Sequence, residues 1–164
     1  MKIATGYSRT QITLHWTIAA LIIAQFVGHE GIVASMTAFE RGTEVGATDL
    51  ILTRMHVIFG AVILLLAIWR LVLRLTRGAP AAPDGEAGIL KIIAAGTHVV
   101  LYAVIFLMPI SGLLTWFVSA ETYGIGHEIG KVVMLLIVLL HTVGALYHWL
   151  FLKSGVMQRM FRAG

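Results

Sequence analysis

Cysteine is absent from this chain of 164 residues, and charged residues make up only 12% of it. Without cysteine the chain forms no disulfides and no thiolate site for zinc or iron–sulfur clusters, and it lacks the C-x-x-C-H motif that attaches haem covalently. The shortage of charge leaves too little polar surface for a water-soluble globule of this length. These absences exclude the soluble enzyme classes and the disulfide-rich secreted proteins.

Long apolar runs take the place of the missing charge. The chain is 59% hydrophobic with a mean hydropathy of +0.91, and four runs are long enough to cross a bilayer: 12–28, 50–73, 89–117 and 130–152. No cleavable signal peptide pattern precedes the first run, so we expect it to stay as a helix. The sequence therefore predicts an all-α fold, an integral membrane four-helix bundle that forms one domain over residues 1–164, with helices at about 9–28, 50–75, 88–117 and 127–152.

The segments between the predicted spans are shorter and more polar. Residues 28–49 are rich in glycine and threonine and contain four acids, which indicates an exterior loop with a short surface helix around 33–39. Residues 119–126 also read as a brief exterior loop. Residues 79–85 contain two prolines and a glycine, which is typical of a stiff turn between two helices.

Basic residues are distributed unevenly across the predicted membrane. Nine of the twelve fall on the side that holds both termini, namely Lys2, Arg9, Arg70, Arg74, Arg77, Lys91, Lys153, Arg159 and Arg162. Arg41, Arg54 and Lys131 fall on the other side, with six of the eight acids. The positive-inside rule then puts both termini in the cytoplasm. Because the bases sit at span ends and form no single patch, lipid is the predicted surrounding and nucleic acid is not a predicted partner.

Seven histidines are a high number for so apolar a chain. Five lie inside predicted spans (His15, His56, His98, His141 and His148), and His29 and His127 lie at span edges. Ionisable groups inside a membrane are costly and mark function by default. His127 and His141 are fourteen residues apart on one predicted helix, so their rings leave the same face about 21 Å apart along the axis. That spacing suits two stacked, non-covalently bound haems, each with two imidazole ligands.

More than one ligand set satisfies this spacing. Grouping the histidines by side pairs His15 with His141 near the cytoplasm and His56 with His127 near the periplasm. His15 and His29 are also fourteen residues apart, so His29 is an alternative to His56. Counting depth from the span ends instead pairs His15 with His148 and His56 with His141. In a further alternative, the histidines only bond neighbouring helices of a haem-free transporter or scaffold.

Several motifs together resemble the prokaryotic cytochrome b561 family over nearly the whole chain. They are Tyr7-Ser-Arg-Thr-Gln-Ile-Thr-Leu-His15-Trp16, Arg54-Met-His56, Trp69-Arg70-Leu-Val-Leu-Arg74, His98-Val-Val-Leu-Tyr102, Pro109-Ile-Ser-Gly112, and His127-Glu128 through His141. The wider group includes the cytochrome b subunits of nickel hydrogenases and formate dehydrogenases. It takes haem ligands from the first, second and fourth spans, with two histidines fourteen residues apart on the last.

The resemblance implies a ligand set and a function. It selects His15, His56, His127 and His141 as axial ligands of two b haems, and it implies quinone or propionate contacts for His98 and His148. It also implies a multi-pass protein of the bacterial inner membrane and electron exchange with the quinone pool. One member type is similar to a superoxide oxidase, which passes electrons from periplasmic superoxide through its haems to ubiquinone. The sequence is therefore interpreted as a superoxide:ubiquinone oxidoreductase, and a homodimer is compatible with it.

Charged residues near the span ends bear on this interpretation. Haem propionates need cationic partners, and the candidates are Arg9, Arg70 and Arg74 inside and Arg54 and Lys131 outside. The six acids of the exterior face oppose attraction of an anionic substrate and suit a basic protein. The alternative function is therefore a membrane-anchor cytochrome b subunit, which passes electrons between quinone and a periplasmic redox protein.

Overall fold

A computed structural model describes residues 6–83 and 85–164, and within these ranges the chain is all-helical with no β-strand. Five helices follow one another: α1 Arg9–Val27, α2 His29–Arg41, α3 Ala47–Arg77, α4 Gly88–Phe117 and α5 Ala120–Leu150. A short 3-10 turn, Gln158–Met160, comes after them. Helices α1, α3, α4 and α5 are long and apolar enough to cross a membrane, which confirms the predicted fold class. Lys2, one of the nine bases on the terminal side, lies outside the described residues.

The start of α1 is tied to the end of α3. Ser8 caps α1: its hydroxyl accepts from the Gln11 amide at 3.2 Å, and the Gln11 side chain accepts from the Ser8 amide at 3.0 Å. Gln11 is buried, and its side-chain amide donates to the Gly78 carbonyl at 3.1 Å. Arg70 donates in turn to the Gln11 carbonyl at 2.9 Å. These bonds hold α1 in register with α3, and His15 lies one turn beyond the anchored Gln11.

Helix α2 is longer than the surface helix predicted within 28–49. It packs on α3, where the buried Thr53 hydroxyl donates to the Gly31 carbonyl at 3.2 Å and lies 2.8 Å from the hydroxyl of Ser35. A Cβ at Gly31 would collide with the side chain of Leu52, so glycine is what permits this close approach. The helix ends at Gly42, whose φ of 64° stops it in the left-handed conformation.

Helix α5 begins at Ala120, seven residues before the predicted start at 127. The prediction of an exterior loop over 119–126 is wrong. Ser119 adopts an extended conformation and its hydroxyl accepts from the Thr122 amide at 3.2 Å, which satisfies a free N–H of the first turn. His127 therefore lies two turns inside a helix and not at a frayed edge.

The helices do not pack evenly around a common axis. Helix α3 is central in the packing order and contacts α1, α2 and α4, whereas α5 packs extensively on α4 alone among the described helices. The backbones of α1 and α3 stay apart from that of α5. On the terminal side, the Trp16 indole donates to the Met160 carbonyl at 2.8 Å and stacks on Phe161. The Gly164 amide also donates to the Tyr7 carbonyl at 3.3 Å, so the first described residues and the C-terminal segment lie on the same side of the bundle.

Candidate functional site

Two pairs of histidine rings bridge the space between α5 and its neighbours. His15 on α1 and His141 on α5 have ring centroids 6.2 Å apart. His56 on α3 and His127 on α5 also have ring centroids 6.2 Å apart. Because His127 and His141 are fourteen residues apart on one helix, the two pairs lie on separate levels, about 21 Å from each other along α5.

The shared separation has a simple chemical meaning. An imidazole nitrogen binds a first-row metal at about 2 Å and lies roughly 1 Å from its ring centroid, so two rings on opposite sides of one metal have centroids about 6 Å apart. Each pair is spaced in this way. The described residues contain no group of three or more His, Cys, Asp or Glu side chains that could hold a metal ion. Two protein ligands per level suit a haem, whose macrocycle supplies the remaining four nitrogens.

The backbone of α5 stays apart from the backbones of α1 and α3 at both histidine levels. The two histidine pairs span the part of the bundle where α5 stays apart from α1 and α3. Between the levels, Met134 on α5 is 5% exposed and lies seven residues from both His127 and His141. Ile63 on α3 is 4% exposed and follows His56 by seven residues. An apolar layer therefore separates the two sites.

The immediate surroundings of His127 orient its ring. The Ser111 hydroxyl on α4 donates to the Met108 carbonyl at 3.0 Å, so its oxygen accepts from Nδ1–H of His127, also at 3.0 Å. That bond leaves Nε2 of His127 available to a metal, which is the arrangement that orients metal-bound histidines. A Cβ built at Gly112 would lie 3.0 Å from the ring, so the absence of a side chain there lets α4 approach the imidazole.

His56 carries a direct sign of a missing partner. Its Nδ1 is buried and has no hydrogen-bond partner in the described part of the chain. A buried polar nitrogen without a partner is costly, and such atoms are rare in folded proteins. The backbone of His56 is well held, because the Gln25 side chain donates to its carbonyl at 2.9 Å. An imidazole that is firmly placed but unsatisfied fits a residue that binds a further group.

His98 lies beside the His15–His141 pair and not within it. Its Nδ1 donates to the Ala94 carbonyl at 2.7 Å, one turn earlier on α4. Its ring meets that of His141 edge to face, with centroids 5.2 Å apart. This separation is shorter than the roughly 6 Å expected of two rings on one metal. His98 therefore contacts the side of His141, where it supports the orientation of that ring.

The two alternative ligands are engaged elsewhere. His148 has both ring nitrogens occupied, with Nε2 3.0 Å from Oε1 of Glu86 and Nδ1 3.0 Å from the hydroxyl of Ser154. His29 accepts from the ammonium group of Lys131 at 2.8 Å. Neither residue belongs to a histidine pair in the described structure.

The candidate propionate partners differ in their availability. Arg70 and Arg74 are half-buried and line a small cavity with Tyr7, Gln11 and Tyr102. The Arg74 guanidinium lies 5.6 Å from the Tyr102 ring centroid, a cation–π distance. Lys131 forms an ion pair with Glu128 that offsets its charge. Arg9 and Arg54 are exposed at the first residue of α1 and in the second turn of α3, respectively.

Comparison with known proteins identifies the family. Residues 6–163 match the family model described as prokaryotic cytochrome b561. The chain belongs to this family. A relative named cytochrome b562, from Cereibacter sphaeroides, is 31% identical over 160 residues, a match that covers 96% of each chain. The family carries out transmembrane, haem-based electron transfer, and its cofactor is haem b. The protein is a multi-pass membrane cytochrome that sits in lipid.

Three residues at these sites, Ser111, Gly112 and Glu86, have no role that the sequence alone predicts. Ser111 and Gly112 stand next to Pro109 in a motif that carried the family resemblance, and a serine–glycine step within an apolar run is a signal of close helix packing. Glu86 offered no such signal. It comes soon after the Pro-Asp-Gly turn, where an acidic residue reads as ordinary loop polarity.

Proposed function

We propose that the chain carries electrons across the bacterial inner membrane through two b haems, one held by His15 and His141 and the other by His56 and His127. The observation that carries this proposal is the separation of 6.2 Å found in both histidine pairs. When bound, each haem supplies a one-electron Fe(III)/Fe(II) couple with no open iron position. All four ligands belong to one domain, residues 1–164. The excess of bases on the terminal side supports termini that face the cytoplasm.

The chain's own side chains prepare and separate the two sites. Ser111 fixes the tautomer of His127, and Gly112 gives its ring space. Met134 and Ile63 keep the layer between the levels apolar and free of charge. Arg70 and Arg74 supply positive charge near the His15–His141 pair, which is the inner level if the termini face the cytoplasm. A haem carboxylate needs such a partner. Arg9, Arg54 and Lys131 are the weaker candidates for this role.

We further propose superoxide as electron donor and ubiquinone as acceptor. Two superoxide anions lose one electron each and become dioxygen, and ubiquinone takes up the two electrons with two protons to become ubiquinol. Arg54, exposed two residues before His56, is the base best placed to attract the anion, because the charge of Lys131 is offset by Glu128. His98 and His148 are the proposed quinone contacts on the terminal side.

Helix α2 supports the alternative of a membrane-anchor subunit. It forms an ordered exterior helix with Glu30 and Glu40 exposed, followed by the exposed Glu44. Phe39 on the same helix is 86% exposed. Acidic groups around an exposed aromatic side chain are typical of a docking surface for a basic redox protein.

One experiment tests the main proposal. The purified, oxidised protein is mixed with a superoxide flux while the haem absorbance is followed, first alone and then with ubiquinone. Reduction of the haems by superoxide, followed by reoxidation that depends on ubiquinone, is the expected result. Haems that ignore superoxide but accept electrons rapidly from a basic soluble cytochrome would favour the anchor subunit instead.

A further inference from the structure

A buried carboxylate–imidazole pair lies at the terminal end of the bundle, outside both histidine pairs. Glu86 belongs to the segment between α3 and α4, and its side chain is only 5% exposed. Its Oε1 lies 3.0 Å from Nε2 of His148, whose side chain is 13% exposed. Carboxylates are almost never this buried unless they are paired.

The ring of His148 is held from both sides. Ser154, in the C-terminal segment, places its hydroxyl 3.0 Å from Nδ1 of His148. The same C-terminal segment is fastened to the α3–α4 segment by Arg159, whose guanidinium donates to the Ala81 carbonyl at 2.7 Å. On α5 itself, the Tyr147 ring lies next to His148, with ring centroids 6.4 Å apart. Among the described residues, Glu86 is the acid whose carboxylate contacts the His148 ring.

The position of the pair relates it to the inner histidine level. His148 follows His141 by seven residues on α5, so it lies on nearly the same helix face, about 10 Å closer to the terminal side. Glu86 lies beyond it in the connecting segment, next to exposed residues such as Gly85 and Ala87. The pair thus stands between the His15–His141 level and the water on the terminal side.

We propose that Glu86 and His148 deliver protons from this water to the quinone that accepts electrons from the inner level. The inference rests on the proposed quinone reaction. When bound, the two haems would supply one electron each, and the quinone oxygens would take two protons, so that ubiquinone becomes ubiquinol. Each proton passes from water to Glu86, from Glu86 to Nε2 of His148, and from Nδ1 through the Ser154 hydroxyl to a quinone oxygen. An imidazole held between a carboxylate and a hydroxyl suits this task, because each of these groups can take a proton from one neighbour and pass one to the next.

The test compares two oxidants of the same reduced protein. Glu86→Gln keeps the size and hydrogen-bonding capacity of the side chain but cannot release a proton, and Glu121→Gln makes the same change at an exposed acid in the first turn of α5. Short-chain ubiquinone needs protons to be reduced, whereas ferricyanide needs none. We expect Glu86→Gln to slow reoxidation by ubiquinone by about 100-fold and to leave reoxidation by ferricyanide unchanged. Glu121→Gln should behave as the unmodified protein with both oxidants.

A spectroscopic readout separates proton transfer from a structural role. Infrared difference spectra recorded on quinone reduction should contain a carboxyl band that disappears in Glu86→Gln, and Glu86→Asp should restore both the band and part of the rate. Equal slowing with both oxidants, or reoxidation by ubiquinone at the normal rate, would overturn the proposal. If Glu86→Gln fails to accumulate, His148→Gln is measured against the same two oxidants with the same criteria. If ubiquinone fails to reoxidise the unmodified protein as well, the proposed quinone reaction itself is refuted.

Discussion

Gly112 on α4 lies against the ring of His127 on α5, so closely that a Cβ at Gly112 would stand 3.0 Å from ring atom Cε1. Neither helix can shift freely to relieve such a contact, because α4 and α5 pack along most of their lengths. The orientation of His127 therefore depends on the absence of a side chain one helix away. The Ser111 hydroxyl reinforces that orientation from the preceding residue.

Gly112→Ala should disturb the outer haem and leave the inner one intact. The added methyl group presses on the His127 ring and tilts it, so we expect haem content to fall from about two per chain toward one, or the outer haem to shift in potential. Gly96→Ala is the matched control, since a Cβ at Gly96 on the same helix meets no neighbouring atom within 4 Å. Redox titration of both variants measures the effect. Identical titrations would show that the ring tolerates the methyl group.

Purified protein should contain two low-spin b haems per chain. Each histidine pair provides the two axial ligands that one iron needs, at the same ring separation. Pyridine haemochrome analysis, with protein quantified independently, counts the haems. A stoichiometry near one that added haemin does not raise would contradict the two-site arrangement.

Single histidine replacements should divide into two classes. Replacement of His56 or His127 by alanine should remove the outer haem, and replacement of His15 or His141 should remove the inner one, because each ring is half of its pair. His148→Ala should retain both haems, since its ring nitrogens contact Glu86 and Ser154. Loss of a haem in His148→Ala, with two retained in His127→Ala, would restore the pairing obtained by counting depth.

Ser111→Ala should weaken the outer haem without removing His127. The variant loses the hydroxyl that accepts the bond from Nδ1–H of His127. Without this bond the His127 imidazole is less basic and its tautomer is no longer fixed. We therefore expect the affinity for haem to be about 10-fold lower. Thr76→Ala removes an exposed hydroxyl that only bonds its own helix, to the Val72 carbonyl at 2.8 Å, and serves as control. Haem transfer to apomyoglobin reports the loss rates. Equal loss from both variants would leave Ser111 without a positioning role.

Neutralising the exterior acids should separate the two proposed electron donors. Glu40, Glu44 and Asp49 repel an anion and attract a basic protein, so their replacement by glutamine and asparagine should speed reduction by superoxide and slow reduction by a basic cytochrome, each by a few-fold at low salt. Both effects should fade as ionic strength rises. Stopped-flow measurements at two salt concentrations provide the comparison. Rates that do not change would remove these acids from the entry surface.

The four spans could be predicted because the signal is local. A run of some twenty apolar residues crosses a membrane as a helix whatever its neighbours are, so 12–28 and 89–117 led directly to α1 and α4. The start of α5 was missed because Thr122, Gly124 and Gly126 lower the hydropathy of a segment that Ser119 nevertheless caps as a helix. Local composition and local capping gave opposite indications there.

The detailed site could not be predicted in the same way. Spacing on α5 indicated two levels, but it left His29 and His148 as rivals, since periodicity says nothing about which helix faces which. Glu86 and His148 are 62 residues apart in sequence. They meet because the segment between α3 and α4 contacts the C-terminal end of α5. Long-range polar pairs of this kind depend on tertiary packing and leave no periodic trace in the sequence.

The loose attachment of α5 bears on how the protein is assembled and how long it survives. Helix α5 packs extensively on the backbone of α4, whereas two pairs of imidazole rings connect it to α1 and α3. A ligand that binds only the closed bundle stabilises that bundle in proportion to its own availability. We therefore expect haem to hold α5 against α1 and α3, so that a chain without haem is the less stable form. Cellular levels of this cytochrome should therefore follow haem supply, with unfilled chains removed by membrane proteases.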